Sequence, residues 1–165
     1  MCGRSHPNPP FTSVTRRGAF VSTLRALGIG ANLNNWEPAD FFQGEEDGWQ
    51  YKEIREVVQR GSLYRLISPR DGSEQSVTET VSQDKKSAVT FAFLHSSGMM
   101  YPFPRVYLRG LEPDAIYRIK ALDGKLSKDT PAVASGTFWM QHGVDIDLKG
   151  DFQAAAFTVK QLESN

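Results

Sequence analysis

Hydrophobic positions along this chain keep one period up to about residue 60 and another after it. Between Val14 and Leu27, Phe20, Leu24 and Leu27 fall on one helical face with Val21 beside them, while Arg16, Arg17 and Arg25 take the solvent side. That pattern predicts a helix. Gly28-Ile29-Gly30 ends it, and Ile29 to Leu33 reads as a short strand whose glycines permit a tight turn or close backbone packing. Asn34 to Gly48, with Trp36, Phe41 and Phe42, reads as an irregular loop after a Pro-rich stretch of loop at residues 1–13. A second helix is predicted from near Asp47 or Trp49, with Tyr51, Ile54 and Val57/Val58 as its apolar stripe. Lys52, Glu56 and Arg60 stand four apart on its other face, where opposite charges meet. Gly61 follows where a helix commonly stops in a left-handed conformation.

Beyond Gly61 the period is two. Leu63 to Ile67 reads as a strand ended by Ser68-Pro69 and the turn signal Asp71-Gly72. Val77–Val81, Ala88–Leu94, Val106–Arg109, Ile116–Leu122, Thr137–Met140, Val144–Leu148 and Phe152–Gln161 are further candidate strands. Val89, Phe91, Phe93, Val106, Leu108, Phe152 and Phe157 are the expected buried set. Short strands spaced by turn signals predict an antiparallel sandwich. The single α/β unit before it cannot bury both faces of a parallel strand, so residues 1–60 read as a piece of something larger and 61–165 as a β domain.

Composition narrows the function classes. Nineteen basic residues balance nineteen acidic ones, which speaks against a nucleic-acid partner. No run is long and apolar enough to span a bilayer, so no membrane partner is expected. Cys2 alone excludes an internal disulfide framework. The first ten residues have no apolar core of the kind a secretory signal needs, so the chain as it stands is expected in the cytosol, or its true N-terminus lies upstream.

Candidate chemistry is sparse. His6, His95 and His142 lack ligand spacing, so no metal and no cofactor are expected. No nucleophile elbow, phosphate loop or dinucleotide fingerprint occurs. Asp145 and Asp147, two apart on a strand, would share a face, whereas glycosidase carboxylates flank a substrate from opposite sides; they read as solvent-side residues of an outer strand. Trp36, beside Asn34 and Asn35, is a candidate sugar contact, an aromatic plate with amide donors; the alternative is an aromatic packed under a loop.

Several segments, in order, carry a family resemblance. They are the run from Tyr51-Lys52 through Val58-Gln59 and Gly61 to Leu63-Tyr-Arg-Leu66 and Ser68-Pro69; Val81-Ser-Gln-Asp-Lys-Lys-Ser-Ala-Val89; Tyr107-Leu-Arg-Gly-Leu-Glu-Pro-Asp114; Gly143; and Leu148-Lys-Gly-Asp-Phe152. Upstream, Pro7-Asn8, Val14-Thr15 and Gly30 to Leu33 fall in place with them. The chain resembles the C-terminal part of fungal α-galactosidases of glycoside hydrolase family 36. The resemblance implies that residues 1–60 are the last units of a catalytic (β/α)8 barrel and 61–165 a complete C-terminal β-sandwich. It implies retaining hydrolysis of terminal α-galactosyl groups, as in raffinose and melibiose, by two aspartates in a Lys-x-Asp motif and a Ser-Asp-containing motif. Neither motif occurs at a corresponding place, and Lys128-Asp129 and Lys149-Gly-Asp151 belong to the sandwich. The chain alone is therefore expected to carry no catalytic residue, with Asn35 and Trp36 as its candidate substrate contacts. A galactoside is an expected partner only once the barrel is supplied. Phe20, Leu24, Leu27, Phe41 and Phe42 are expected to stay exposed as the seat of that missing barrel or of a second copy. A freestanding galactoside-binding module and a purely structural sandwich are the alternatives.

Overall fold

The structure, a computed structural model, describes residues 38–96 and 103–163. The helix and strand expected between Val14 and Leu33, and Phe20, Leu24 and Leu27 with them, lie outside the described residues.

Helix α1 spans Pro38–Arg60 and strand β1 spans Ser62–Ile67. β2 is Gln75–Val81, β3 Ser87–Leu94, β4 Ile116–Asp123 and β5 Val133–Ser135; a short helix α2, Gly136–Gln141, precedes β6, Gln153–Gln161. The strands form one antiparallel sheet in the order β1-β2-β3-β6-β4-β5. The last strand is thus central, lying between β3 and β4.

α1 begins about ten residues earlier than the periodicity predicts. The apolar spacing that marks the helix in sequence lies in its C-terminal part, where Ile54 and Val58 are buried. Pro38 suits a first helical turn, where its missing N–H costs nothing. Phe42 and Trp49 are 74% and 62% exposed, and being seven apart they lie on one side of the helix, well away from Ile54. Lys52 reaches back over the Trp49 ring, 4.3 Å from its centroid, and leaves the Glu56–Arg60 pair, 3.7 Å, without the extension expected of it. Gly61 does not end α1 in a left-handed turn, since its φ is not positive. It is needed because a Cβ there would strike the Val57 carbonyl and lie 2.6 Å from that of Val81, where the helix turns directly into β1.

Alternation sends the two faces of the sheet to different covers. On the outer face Val89, Phe91 and Ala156 pack under Ile54 and Val58 of α1, with Phe93 half-buried beside them. On the inner face Val77, Val81, Ala88, Ala92, Leu94, Ala155, Phe157 and Val159 meet Val106, Leu108, Trp139, Val144, Ile146 and Leu148. That inner layer is not built of regular strands. The two segments expected as strands, Val106–Arg109 and Val144–Leu148, touch at a single bridge, Val106 with Val144, and Leu126 bridges Ile146. Arg105 completes the tie with a two-pronged contact to Asp145, Nε to Oδ1 at 2.8 Å and Nη2 to Oδ2 at 2.6 Å.

Two further expectations are corrected. Thr137–Met140 is not a strand but lies in α2: Ser135 Oγ accepts from the Phe138 N–H at 3.1 Å, and this cap bends a short apolar run into a helix that buries Trp139. Phe152 is 57% exposed, not buried. Its φ of +54 turns the side chain out before β6 begins, and its ring meets the edge of His95 at 5.0 Å.

Two polar groups anchor the inner layer. The Tyr117 hydroxyl donates to the Lys85 carbonyl at 2.8 Å and accepts from the Glu112 N–H at 2.9 Å, in the manner of a tyrosine corner. Glu79 is fully buried between Val77 and Val81 on the inner face, and its Oε2 accepts from the Arg109 N–H at 2.7 Å. Beside it Gly110, at φ +72, lets the loop close on Tyr64; a Cβ there would lie 2.7 Å from the tyrosine oxygen. Burial outweighs the Arg109 backbone bond and the Arg109 charge and raises the Glu79 pKa from 4.5 to about 8.

The folded chain therefore keeps the Glu79 proton to higher pH than the unfolded chain does. Its contribution is fully present below the unfolded value and fades as pH rises toward about 8. Each pH unit within that window weakens the fold by up to about 1.4 kcal/mol. Glu79→Gln keeps an acceptor for Arg109 without a titrating proton, so urea unfolding across this window should show a shallower loss of stability than in the parent. Equal slopes would place the pH dependence elsewhere. Ile54→Ala should cost about 2–5 kcal/mol in the same assay, because the buried isoleucine is the centre of the α1 contact.

Candidate functional site

Asn35 and Trp36, the candidate sugar contacts, lie outside the described residues, as do Cys2 and His6. Asn34 lies there too; the remaining residues considered for chemistry are placed, and the fold does not bring them together. His95 meets Phe152, while His142 follows α2 and stacks on Phe138 with centroids 4.9 Å apart. No group of three or more potential metal ligands occurs among the described residues. Asp145 is committed to Arg105 and Asp147 to Lys149 at 2.8 Å, so each of these aspartates serves an ion pair.

The described surface holds two clefts of similar size. One, of about 470 Å³, lies where α1 meets the β2–β3 turn and includes Glu56, Arg60, Ser82, Gln83 and Asp84. Its polar groups engage one another. Arg60 pairs with Glu56, Gln83 Nε2 donates to the Arg60 carbonyl at 3.0 Å, and Ser82 Oγ donates to Asp84 at 2.6 Å. The Ser82 hydroxyl, together with the Lys86 N–H, holds the Asp84 carboxyl below its ordinary pKa. The other cleft, of about 480 Å³, lies over β1 and β2 and is lined by Arg65, Ile67, Ser68, Pro69, Arg70, Ser76 and Thr78. It presents two arginines and the hydroxyls of Ser68 and Ser76, while the Thr78 hydroxyl oxygen is buried.

Retaining glycoside hydrolysis needs two carboxyl groups about 5 Å apart across the scissile bond, one ionised and one protonated. Glu79 is the one buried acid among the described residues, and it is protonated at neutral pH, but it belongs to neither cleft lining. It sits inside the core as a strut for Arg109. Among the described residues the arginine cleft is lined by no acid.

Sequence reading passed over both Glu79 and the arginine cleft. Glu79 carried a usable signal: in Val77-Thr-Glu-Thr-Val81 it shares the parity of two buried valines, which sends it inward. Arg65 carried none, because an arginine alternating outward on a strand reads as solvated.

Residues 75–159 match the C-terminal domain of glycosyl hydrolase family 36. "Probable alpha-galactosidase G" of Aspergillus terreus is 34% identical over 101 residues, 61% of this chain and 13% of the relative. "Alpha-galactosidase Mel36A" of Lactobacillus acidophilus is 29% identical over 157 residues, 94% of this chain and 20% of the relative. Among solved structures, the α-galactosidase from Lactobacillus brevis superimposes with a TM-score of 0.76 at 24% identity, covering 98% of this chain and 22% of that one. The fold of an AgaA variant from Geobacillus stearothermophilus, solved in complex with raffinose, is shared with a TM-score of 0.68 at 22% identity, covering 79% of this chain and 17% of that one. This chain thus spans about a fifth or less of the length of each. The antiparallel sheet with its helical cover is the fold these enzymes share with it, and the chain belongs to glycosyl hydrolase family 36, whose C-terminal domain it contains.

Proposed function

We propose that the chain acts as a non-catalytic module that braces the barrel of an α-galactosidase, with residues 1–60 as the end of that barrel and 61–165 as the domain behind it. The observation that carries this reading is the match of residues 75–159 to a C-terminal domain in a chain whose two clefts among the described residues hold no opposed pair of free carboxyl groups. Its substrate, reached only with the barrel in place, is a terminal α-galactoside of the raffinose and melibiose kind. The exposed Phe42 and Trp49 on α1 fit the same reading, since large aromatic groups left wet on a helix mark an interface.

The purified chain should show no hydrolysis of a chromogenic α-galactoside above a buffer blank, and no saturable heat on titration with raffinose. Turnover would overturn the reading. Saturable binding of raffinose without turnover would replace it with that of a freestanding sugar-binding module.

A further inference from the structure

We propose that the arginine cleft over β1 and β2 receives a carboxylate side chain from the catalytic domain that precedes this module in its whole-length relatives. The inference rests on reading the chain as an α-galactosidase module. In β2, Val77 and Glu79 point into the core, so Ser76 and Thr78 stand on the outer face. The cleft therefore opens on the same side of the sheet as α1. The helix covers Val89, Phe91 and Ala156 on the central strands, and no residue lining the cleft belongs to that cluster. Among the described residues this corner of the sheet is left bare, and it lies along β1, the edge strand of the sheet they form.

The chemistry of the cleft is one-sided. Arg65 and Arg70 are both exposed, and neither takes part in the ion pairs formed among the described residues by Arg60, Lys85, Arg105, Lys149 and Lys160. Ser68 and Ser76 add hydroxyl donors. The two guanidinium groups hang on a fixed backbone. Arg65 is paired with Thr78 in the ladder, just before the irregularity that separates it from Ile67. Arg70 lies in a short 3-10 turn, Pro69–Asp71, whose Ser68 cap accepts from the Arg70 N–H at 3.3 Å. A planar fork of donors held in this way matches a carboxylate, which can take two parallel N–H bonds.

The source of the acid follows from position. The family match is to a C-terminal domain, and the relatives are about five times longer than this chain or more, so most of their chain precedes the module. That chain arrives through α1, on the face where the cleft opens.

The test compares one double substitution in two settings. This chain replaces the corresponding stretch of the Lactobacillus brevis enzyme, and Arg65→Gln with Arg70→Gln is made in the chimera and in the chain alone. The chimera should lose several degrees of thermal midpoint and release the module faster to protease, with the loss shrinking in about 1 M salt. The chain alone should keep its midpoint. An unchanged chimera, or an equal loss in both settings, overturns the inference. If the chimera is insoluble, arginine Nε–H resonances of the chain alone decide. Glutarate at constant ionic strength should shift those of Arg65 and Arg70 saturably, an effect lost in Arg65→Gln, and no saturable shift overturns the inference. A chimera that cleaves raffinose but ignores the substitutions removes this inference and leaves the module reading intact. Hydrolysis by the chain alone removes both.

Discussion

The fold depends on one constraint of connectivity: the strand that completes the sheet is the last in the chain. β1, β2 and β3 follow one another and pair as neighbours, and β4 pairs with the short β5, but the two groups meet only through β6. Ser87 to Leu94 pairs residue for residue with Gln153 to Lys160, and the other edge of β6 takes β4. Six strands therefore become one sheet only when residues about seventy apart in sequence close on each other, a non-local pairing whose loop entropy must be met before its contacts return anything. The composition of β6 suits that place. Ala154, Ala155 and Ala156 are small enough for α1 to approach one face and the inner layer the other. Phe91 lies opposite Ala156, and Phe157 opposite Thr90, so each large ring is matched by a small neighbour in the same row.

Given that closed sheet, the two covers do different physical work. α1 supplies a compact apolar contact around Ile54 and Val58, supported at the rim by Lys160 and Glu53 at 3.9 Å, an exposed pair of little energetic weight. The inner cover has little regular hydrogen bonding of its own, so side chains tie it down. Arg105 with Asp145 joins its two segments, Tyr117 fastens the Glu112 turn, and Glu79 reaches from the sheet to hold Arg109. A carboxyl placed in such a core remains neutral because ionising it there costs more than one N–H bond and one nearby guanidinium return. The acid that would look most like a catalytic group by its pKa is thus the one most committed to structure.

What was legible in the sequence follows from which residues bury a face. β2, β3, β4 and β6 alternate cleanly and were found to within a residue or two, and the buried Val89, Phe91, Val106, Leu108 and Phe157 were named correctly. The C-terminal half of α1 is legible from Tyr51, Ile54 and Val58, while its first half reads as a loop. The inner layer misled period reading: Val106 with Leu108 and Val144 with Ile146 alternate like strands because one side faces the core, yet almost no ladder forms between them. Thr137–Met140 has strand composition, and only the Ser135 cap distinguishes it as a helix. Phe152 looked like the first inward residue of a strand, but the positive φ that starts β6 cannot be read from an aromatic residue, which seldom adopts it. The candidate sugar contacts Asn35 and Trp36 lie outside the described residues, so sequence and structure meet on the fold and not on that site.

The distribution of charge completes the picture. Around the inner layer the cations have acids at hand, Arg105 with Asp145, Lys149 with Asp147 and Lys85 with Glu112. Exposed pairs of this kind add little to stability one by one. The outer face differs. There the helix leaves Phe42 and Trp49 exposed, and the sheet edge beside it sets Arg65 and Arg70 around a cleft whose described lining holds no acid. The helix side of the sheet thus carries exposed aromatic rings and two arginines outside the ion pairs formed among the described residues. Hydrophobic area gives such a surface affinity, and fixed cations give it register, because a misplaced dock would leave a guanidinium desolvated without a counter-charge.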